Sequence, residues 1–254
     1  MPDAKPRFSP IAPGAAGLPL YRAVKRSLLR VIELGEVPPG DALPSETVIA
    51  VAMGVSIGTL RRAVDELVAE HILVRRQGRG TFVATHTADR FLFQFFHVER
   101  SDGLRESPQV ELLAFERVRL DEDSAQALGV RANEWAFQID NRLTLQRRPV
   151  IHDRLWLPVL LFKGLTEKRL RERPSTIYHL FQSEFGITVV RAIERARAVP
   201  ADRSAARCLG VTIGSPLMQL HRTALTFGDK PVEYRVSTIN TAAHDYVQRL
   251  SRPG

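Results

Sequence analysis

Near the start of the chain, apolar residues recur at helical spacing. Leu20, Val24, Leu28, Val31 and Ile32 form one stripe, which predicts an amphipathic helix over residues 20–34. Gly35 can end that helix, and Pro38-Pro39-Gly40 keeps it ended. A second, shorter helix is predicted to begin at Ser45, an N-cap residue type, with Glu46 well placed against the positive end of the helix dipole. It runs to Met53, where Gly54 supplies a left-handed stop. A third helix opens behind Ser56, with Val55 and Leu60 at the positions of a hydrophobic staple. Its stripe of Leu60, Val64, Leu67 and Val68 extends to about His71. The pattern then shortens to strands. Ile72-Leu73-Val74 and Thr81-Phe82-Val83 flank Arg75-Arg76-Gln77-Gly78-Arg79-Gly80, a β-hairpin with a basic, glycine-containing tip.

Residues 85–90 read as a linker of small and polar residues. The aromatic run from Phe91 to Phe96 is predicted to be a buried strand rather than a base-stacking surface. Beyond it the chain repeats itself imperfectly. Asp121-Glu-Asp-Ser-Ala-Gln-Ala-Leu-Gly-Val130 corresponds to Asp202-Arg-Ser-Ala-Ala-Arg-Cys-Leu-Gly-Val211, each copy opening on an Asp N-cap signal and closing on a helix-stopping glycine. An alternating strand follows each copy, over residues 136–145 and 217–226. A basic turn and Pro-Val come next, as Arg148-Pro149-Val150 and Lys230-Pro231-Val232, opening another strand. Strands also precede the copies, near residues 110–120 and 187–199. Helices are predicted between the copies at 166–172 and 175–185, the latter ended by Gly186. A strand, short helix and hairpin used twice imply an α+β domain with a mostly antiparallel sheet and approximate two-fold internal symmetry.

With 254 residues the chain is long enough for two domains. The expected division is a disordered arm over 1–17, rich in Pro, Ala and Gly with no apolar signal-peptide core, then a first folded unit of three helices and a hairpin over 18–84, the linker over 85–90, and a second domain over 91–250. No run of 18 apolar residues predicts a membrane helix. The formal charge of +8 favours acidic partners such as nucleic acid, although its arginines are spread along the whole chain. The single cysteine, Cys208, cannot form an intrachain disulfide and fits a reducing cytoplasm. Metal-ligand spacings, a glycine-rich phosphate loop and a nucleophile elbow are all missing from the sequence, so no catalytic residue, metal or cofactor is expected.

Two helices joined by a tight glycine turn make a helix-turn-helix, whose second helix enters a major groove. Its exposed first turns carry Thr59, Arg61 and Arg62, and an arginine there can offer two donors to guanine or one charge to a phosphate. The hairpin that follows reads as a wing, with Arg75 and Arg79 drawn to phosphates or a narrow minor groove and the glycines permitting close approach. Leu18-Pro-Leu-Tyr-Arg-Ala-Val-Lys25, Leu43-Pro-Ser-Glu46, Gly54-Val-Ser56, Thr59-Leu-Arg-Arg-Ala-Val-Asp-Glu-Leu67 and Val74-Arg-Arg-Gln-Gly-Arg-Gly-Thr-Phe-Val83 together resemble the GntR family of bacterial regulators. The resemblance implies that Arg61 contacts DNA from the recognition helix. It also implies that Ser45, Ser56 and Thr59 lie near phosphates and that Gln77, Gly78 and Arg79 form the wing tip. Where the family often has arginine after Pro-Ser-Glu and again after Val-Ser, this chain has Thr47 and Ile57.

The second domain resembles the UTRA effector-binding domain of the HutC subfamily, which has a chorismate-lyase-like fold. The phrases that carry this are Leu128-Gly-Val130, Pro149-Val150, Trp156-Leu-Pro158, Thr176-Ile-Tyr178, Glu184-Phe-Gly186, Gly214-Ser-Pro-Leu217 and Pro231-Val-Glu-Tyr-Arg235. The resemblance implies a homodimeric regulator of double-stranded DNA, most commonly a repressor, controlled by a small and often anionic metabolite such as a sugar phosphate or carboxylate. By position, the effector residues would be Arg142, Asp153, Thr176, Tyr178, Glu233 and Arg235. Arg142 is out of register with the family's phosphate-binding arginines, whose places are taken by Asn141 and Leu143. Two alternatives stand beside this reading: an architectural DNA binder without an effector, and a chorismate-lyase-like enzyme.

Overall fold

In the computed structural model, which describes residues 8–11, 19–86, 95–173 and 175–248, the chain divides into two units, Met1–Thr85 and His86–Gly254. In the first unit α1 (Leu20–Glu33) buries Tyr21, Val24, Leu28, Val31 and Ile32, the stripe the periodicity marked. The helix α2 (Glu46–Met53) is capped by the Ser45 hydroxyl, which accepts from the Val48 N–H, and stops at Gly54 with φ 66°. Next comes α3 (Ile57–Ala69), capped by Ser56 and buried through Leu60, Ala63, Val64 and Leu67. Strands β1 (Leu73–Arg76) and β2 (Gly80–Val83) pair antiparallel, Leu73 opposite Val83 and Arg76 opposite Gly80. Most of the expected N-terminal arm lies outside the described residues; within it, the Ile11 N–H donates to the Met53 carbonyl at 2.9 Å.

The second unit holds β3 (Val98–Arg100), β4 (Gln109–Arg119), α4 (Glu122–Leu128), β5 (Trp135–Leu145) and β6 (Arg148–Pro158). It continues through α5 (Glu167–Glu172), α6 (Ile177–Phe185), β7 (Arg191–Pro200), α7 (Arg203–Leu209), β8 (Pro216–Leu225), β9 (Pro231–Ile239) and β10 (His244–Tyr246). Six strands form one antiparallel sheet in the order β4-β5-β6-β9-β8-β7, and β3 pairs with β10 separately. The order is a palindrome about the β6–β9 pair, the topology that a duplicated strand–helix–hairpin unit gives when its two copies join through their equivalent last strands. Both repeat helices are capped alike. Asp121 accepts from the Ser124 N–H at 2.8 Å and Asp202 from the Ala205 N–H at 2.7 Å, and Gly129 and Gly210 end them in the left-handed region. Counting from the Pro-Val of each copy, Arg154 is the equivalent of Val236. These two residues are register partners, so the pseudo-axis passes between them.

One face of the sheet is covered by α6, whose Tyr178 and Phe181 pack on Ile139, Leu155 and Leu157 together with Phe162 and Val189. The opposite face carries α4 on β9 and α7 on β6. The β5–β6 hairpin turns through Gln146 and Arg147, with φ 44° and 63°. Of the aromatic run, residues 91–94 lie outside the described residues. Phe95 and Phe96 are buried as expected but sit in a turn and a loop, not in a strand. The Phe95 carbonyl is taken by the Arg222 side chain instead of a sheet ladder. Of the expected linker, Thr85 closes the first unit and His86 is fully buried in the second, while 87–90 lie outside the described residues.

Candidate functional site

The axes of α2 and α3 meet at 113°, within the range of a helix-turn-helix. Ile57, Arg61 and Asp65 follow one another at four-residue spacing along the exposed stripe of α3. Arg61 is 63% exposed, and its Nε donates to Glu46 at the start of α2 at 2.6 Å. The Arg75 guanidinium on β1 bonds Asp65 at 2.6 Å and lies 3.9 Å from Glu46. Two carboxylates therefore hold the guanidinium groups of α3 and β1 in place. Such exposed pairs are worth about 0–1 kcal/mol each, so a phosphate or a guanine edge can replace them at little cost.

Arg62 behaves differently from its neighbour. It lies about 100° further round the helix, and its guanidinium stacks 4.1 Å from the centre of the Tyr21 ring on α1. The hairpin tip is closed by the Arg79 N–H on the Arg76 carbonyl, with Gly78 at φ 70° where a side chain would be strained. Arg75, Gln77, Gly78 and Arg79 are all exposed. So are Ser45 and Ser56, and the Ser56 and Thr59 hydroxyls lie 2.8 Å apart at the start of α3.

At the start of α6 the second unit forms a half-open cavity of about 250 Å³. Strands supply Asn141 and Leu143 from β5, Asp153 from β6 and Arg235 from β9. The start of α6 supplies Ser175, Thr176 and Ile177, with Arg173 just before it. Ser107, Pro108 and Val110 close the β4 side. Asn141 and Asp153 are register partners, which puts their side chains next to each other on one face. Arg235 donates to Asp153 at 2.9 Å and to both Glu233 oxygens at 2.9 and 3.1 Å, all three residues being buried. The buried Tyr178 hydroxyl donates to Glu233 at 3.2 Å. Burial alone would lower the Arg235 pKa, but the Glu233 and Asp153 carboxylates raise it above the ordinary value. At Arg173 burial, and then the Arg235 charge, depress the guanidinium below its usual range.

Of the six residues assigned to an effector by position, Asp153, Thr176 and Arg235 line the cavity. Tyr178 and Glu233 lie behind them and hold Arg235. Arg142 does not line the cavity: successive residues of a strand point to opposite faces, and Arg142 pairs across the far face with Glu111 at 2.6 Å. Asn141, Leu143 and Arg173 line the cavity without having been singled out as ligand contacts. So do Ser107 and Ser175, whose sequence context carried no signal at all. On the DNA side, Glu46 was read only as a dipole partner of its own helix, whereas it also anchors Arg61.

A helix-turn-helix with a basic wing, carried with a sheet domain that forms a half-open, largely apolar cavity with a few charged and polar side chains in its wall, defines a ligand-responsive DNA-binding regulator. Residues 20–83 match the bacterial regulatory proteins of the gntR family, and residues 104–245, more than half of the chain, match the UTRA domain. The chain belongs to the gntR-type regulators with a UTRA domain: it is a DNA-binding transcription regulator with an effector-binding domain, not an enzyme. It is similar to an Escherichia coli protein named as a fructoselysine utilization operon transcriptional repressor, with 29% identity over 84% of this chain and 87% of that protein. It is 25% identical to the mannosyl-D-glycerate transport/metabolism system repressor MngR of Escherichia coli, over 88% of this chain and 92% of the relative. Among solved structures, it resembles the ligand-binding domain of a protein described as a GntR-family regulator from Bordetella bronchiseptica. That match has 35% identity and a TM-score of 0.59 and covers 63% of this chain and 99% of that one. Among the described residues, no single helix is long and apolar enough to cross a membrane.

Proposed function

We propose that the protein is a cytoplasmic repressor that grips a two-fold symmetric DNA site as a homodimer and releases it when a small carboxylate-bearing metabolite enters the cavity at the start of α6. The observation that carries this reading is the presence on one chain of an exposed recognition-helix arginine, held ready by Glu46, and a half-open cavity walled in part by a buried arginine. Arg61 reads a base pair in the major groove, while Ser45, Ser56 and Thr59 meet phosphates. Arg75, Gln77, Gly78 and Arg79 place the wing against the adjoining backbone. Arg62, committed to Tyr21, supports α3 rather than reading bases. In the cavity, Arg173 and the α6 start at Thr176 take the effector's carboxylate, beside the Arg235–Asp153 pair. Arg142 has no part in it. Two relatives named as repressors support the sign of regulation. A cavity with buried charges favours effector control over an architectural role.

A closed homodimer presents two recognition helices related by a two-fold axis, so its operator is a near-palindrome with half-sites about 34–36 Å apart or a multiple of this. Selection from random duplexes, followed by footprinting and light scattering of the complex, tests it. Enrichment of an asymmetric site bound by a single chain refutes the dimeric reading.

A further inference from the structure

The cavity's acceptors tell more about its occupant than its cations do. Asp153 and Asn141 are 2% and 5% exposed and stand side by side in the cavity wall. Asp153 gives one oxygen to Arg235; its other oxygen, and the Asn141 side-chain oxygen, are buried with no hydrogen-bond partner among the described residues. Two adjacent orphan acceptors, one of them charged, are costly unless a donor completes them. Charge balance points the same way. Arg173 and Arg235 are matched by Asp153 in the wall and by Glu233 behind Arg235, so the site is already neutral. A doubly charged anion would bring two uncompensated charges into it, whereas a ligand with one charge of each sign brings none. The rest of the wall is largely apolar, with Pro108, Val110, Leu143 and Ile177. The volume of about 250 Å³ lies below the ~300–1,000 Å³ of drug-sized pockets, which suits a small metabolite.

We propose that the effector is a zwitterion, an amino or amidino carboxylate whose cationic end is bound by Asp153 and Asn141 and whose carboxylate is bound by Arg173 and the start of α6. This rests on the effector-binding reading of the cavity and names the chemical class that it accepts. The donor end is what distinguishes it from a plain carboxylate or a sugar phosphate.

The test is calorimetric titration and thermal denaturation of the full chain with paired probes. The α-amino acids and the ω-amino acids from β-alanine to 6-aminohexanoate are each compared with the carboxylic acid that lacks the amino group, and glucose 6-phosphate serves as the dianionic probe. We expect at least one zwitterion to bind and to raise the melting temperature, with its desamino partner weaker by about tenfold or more. Asn141→Leu, which leaves the Asp153–Arg235 pair in place, should erase most of that difference. The proposal is overturned if the desamino partner binds equally well, which would mean that water completes the two acceptors. It is equally overturned if no zwitterion binds, or if only the sugar phosphate does. The underlying reading fails separately: Val110→Trp fills the cavity from its exposed wall, and unchanged affinity in that variant would place the ligand elsewhere.

Discussion

Neighbouring arginines on α3 have different work to do, and substitutions should separate them. Arg61→Ala should weaken binding to the selected operator by about ten- to a hundredfold, the ~1–3 kcal/mol of a bidentate base contact, without lowering the melting temperature. A mobility-shift titration beside a thermal melt measures both. Arg62→Ala should do the reverse: it loses the stack on Tyr21, about 0.5–1 kcal/mol of stability, and leaves operator affinity within about twofold. In the cavity unit Glu233 is a costly position to change. Glu233→Ala strips two hydrogen bonds from a buried guanidinium, and breaking a buried pair in this way costs about 3–5 kcal/mol. Urea unfolding of the wild type and this variant checks it; a loss below 1 kcal/mol would mean that Arg235 finds other partners.

The helices and the repeat were legible at the level of elements because their signals are local. A stripe at helical spacing, an Asp or Ser cap and a stopping glycine all lie within a dozen residues. The repeat implies two similar halves and an approximate two-fold, but that they join through β6 and β9 is set by long-range pairing. Decisions that depend on neighbours distant in sequence were not legible. Whether β5 turns Arg142 or Asn141 towards α6 is set by the pairing register with β4 and β6, which the alternation of β5 by itself leaves open. Likewise, Arg61 and Arg62 look interchangeable until α1 and α2 are packed on either side of α3. Phe95 looked like strand because its run is apolar, and only the reach of Arg222 from β8 takes its carbonyl out of a ladder. The β5–β6 hairpin offers an element-scale prediction. Its exposed Arg147 sits at φ 63°, where glycine is preferred in a two-residue turn. Arg147→Gly should therefore stabilise this unit by roughly 0.5–1 kcal/mol, raising its melting temperature by a few degrees. An unchanged or lower value would show that the turn is held by its flanks.

For the whole regulator, operator preference follows from two side chains that are short or apolar. Thr47 is exposed on α2 and Ile57 is 40% exposed at the head of α3, and neither can read guanine with a pair of donors. Ile57 can cover a thymine methyl, so the selected operator core should be richer in thymine than that of relatives with arginine at both places. Phosphate contacts then carry a larger share of the affinity, and binding should fall steeply with salt. The double change Thr47→Arg with Ile57→Arg should shift selection towards guanine. Enrichment of the same guanine-rich half-site by the native chain would refute this account. The duplicated sheet has a consequence of its own. Asn141 and Asp153 on β5 and β6 are the repeat equivalents of Arg222 and Arg235 on β8 and β9, register partners in their turn. In one copy this pair lines an open chamber. In the other, Arg235 reaches across to Asp153 in that same chamber, while Arg222 is stoppered by Glu194, by the Phe95 carbonyl and, through Glu194, by Tyr246. Internal duplication has therefore left one vacancy and one plug, and saturation should come at a single ligand per polypeptide despite a scaffold built for two.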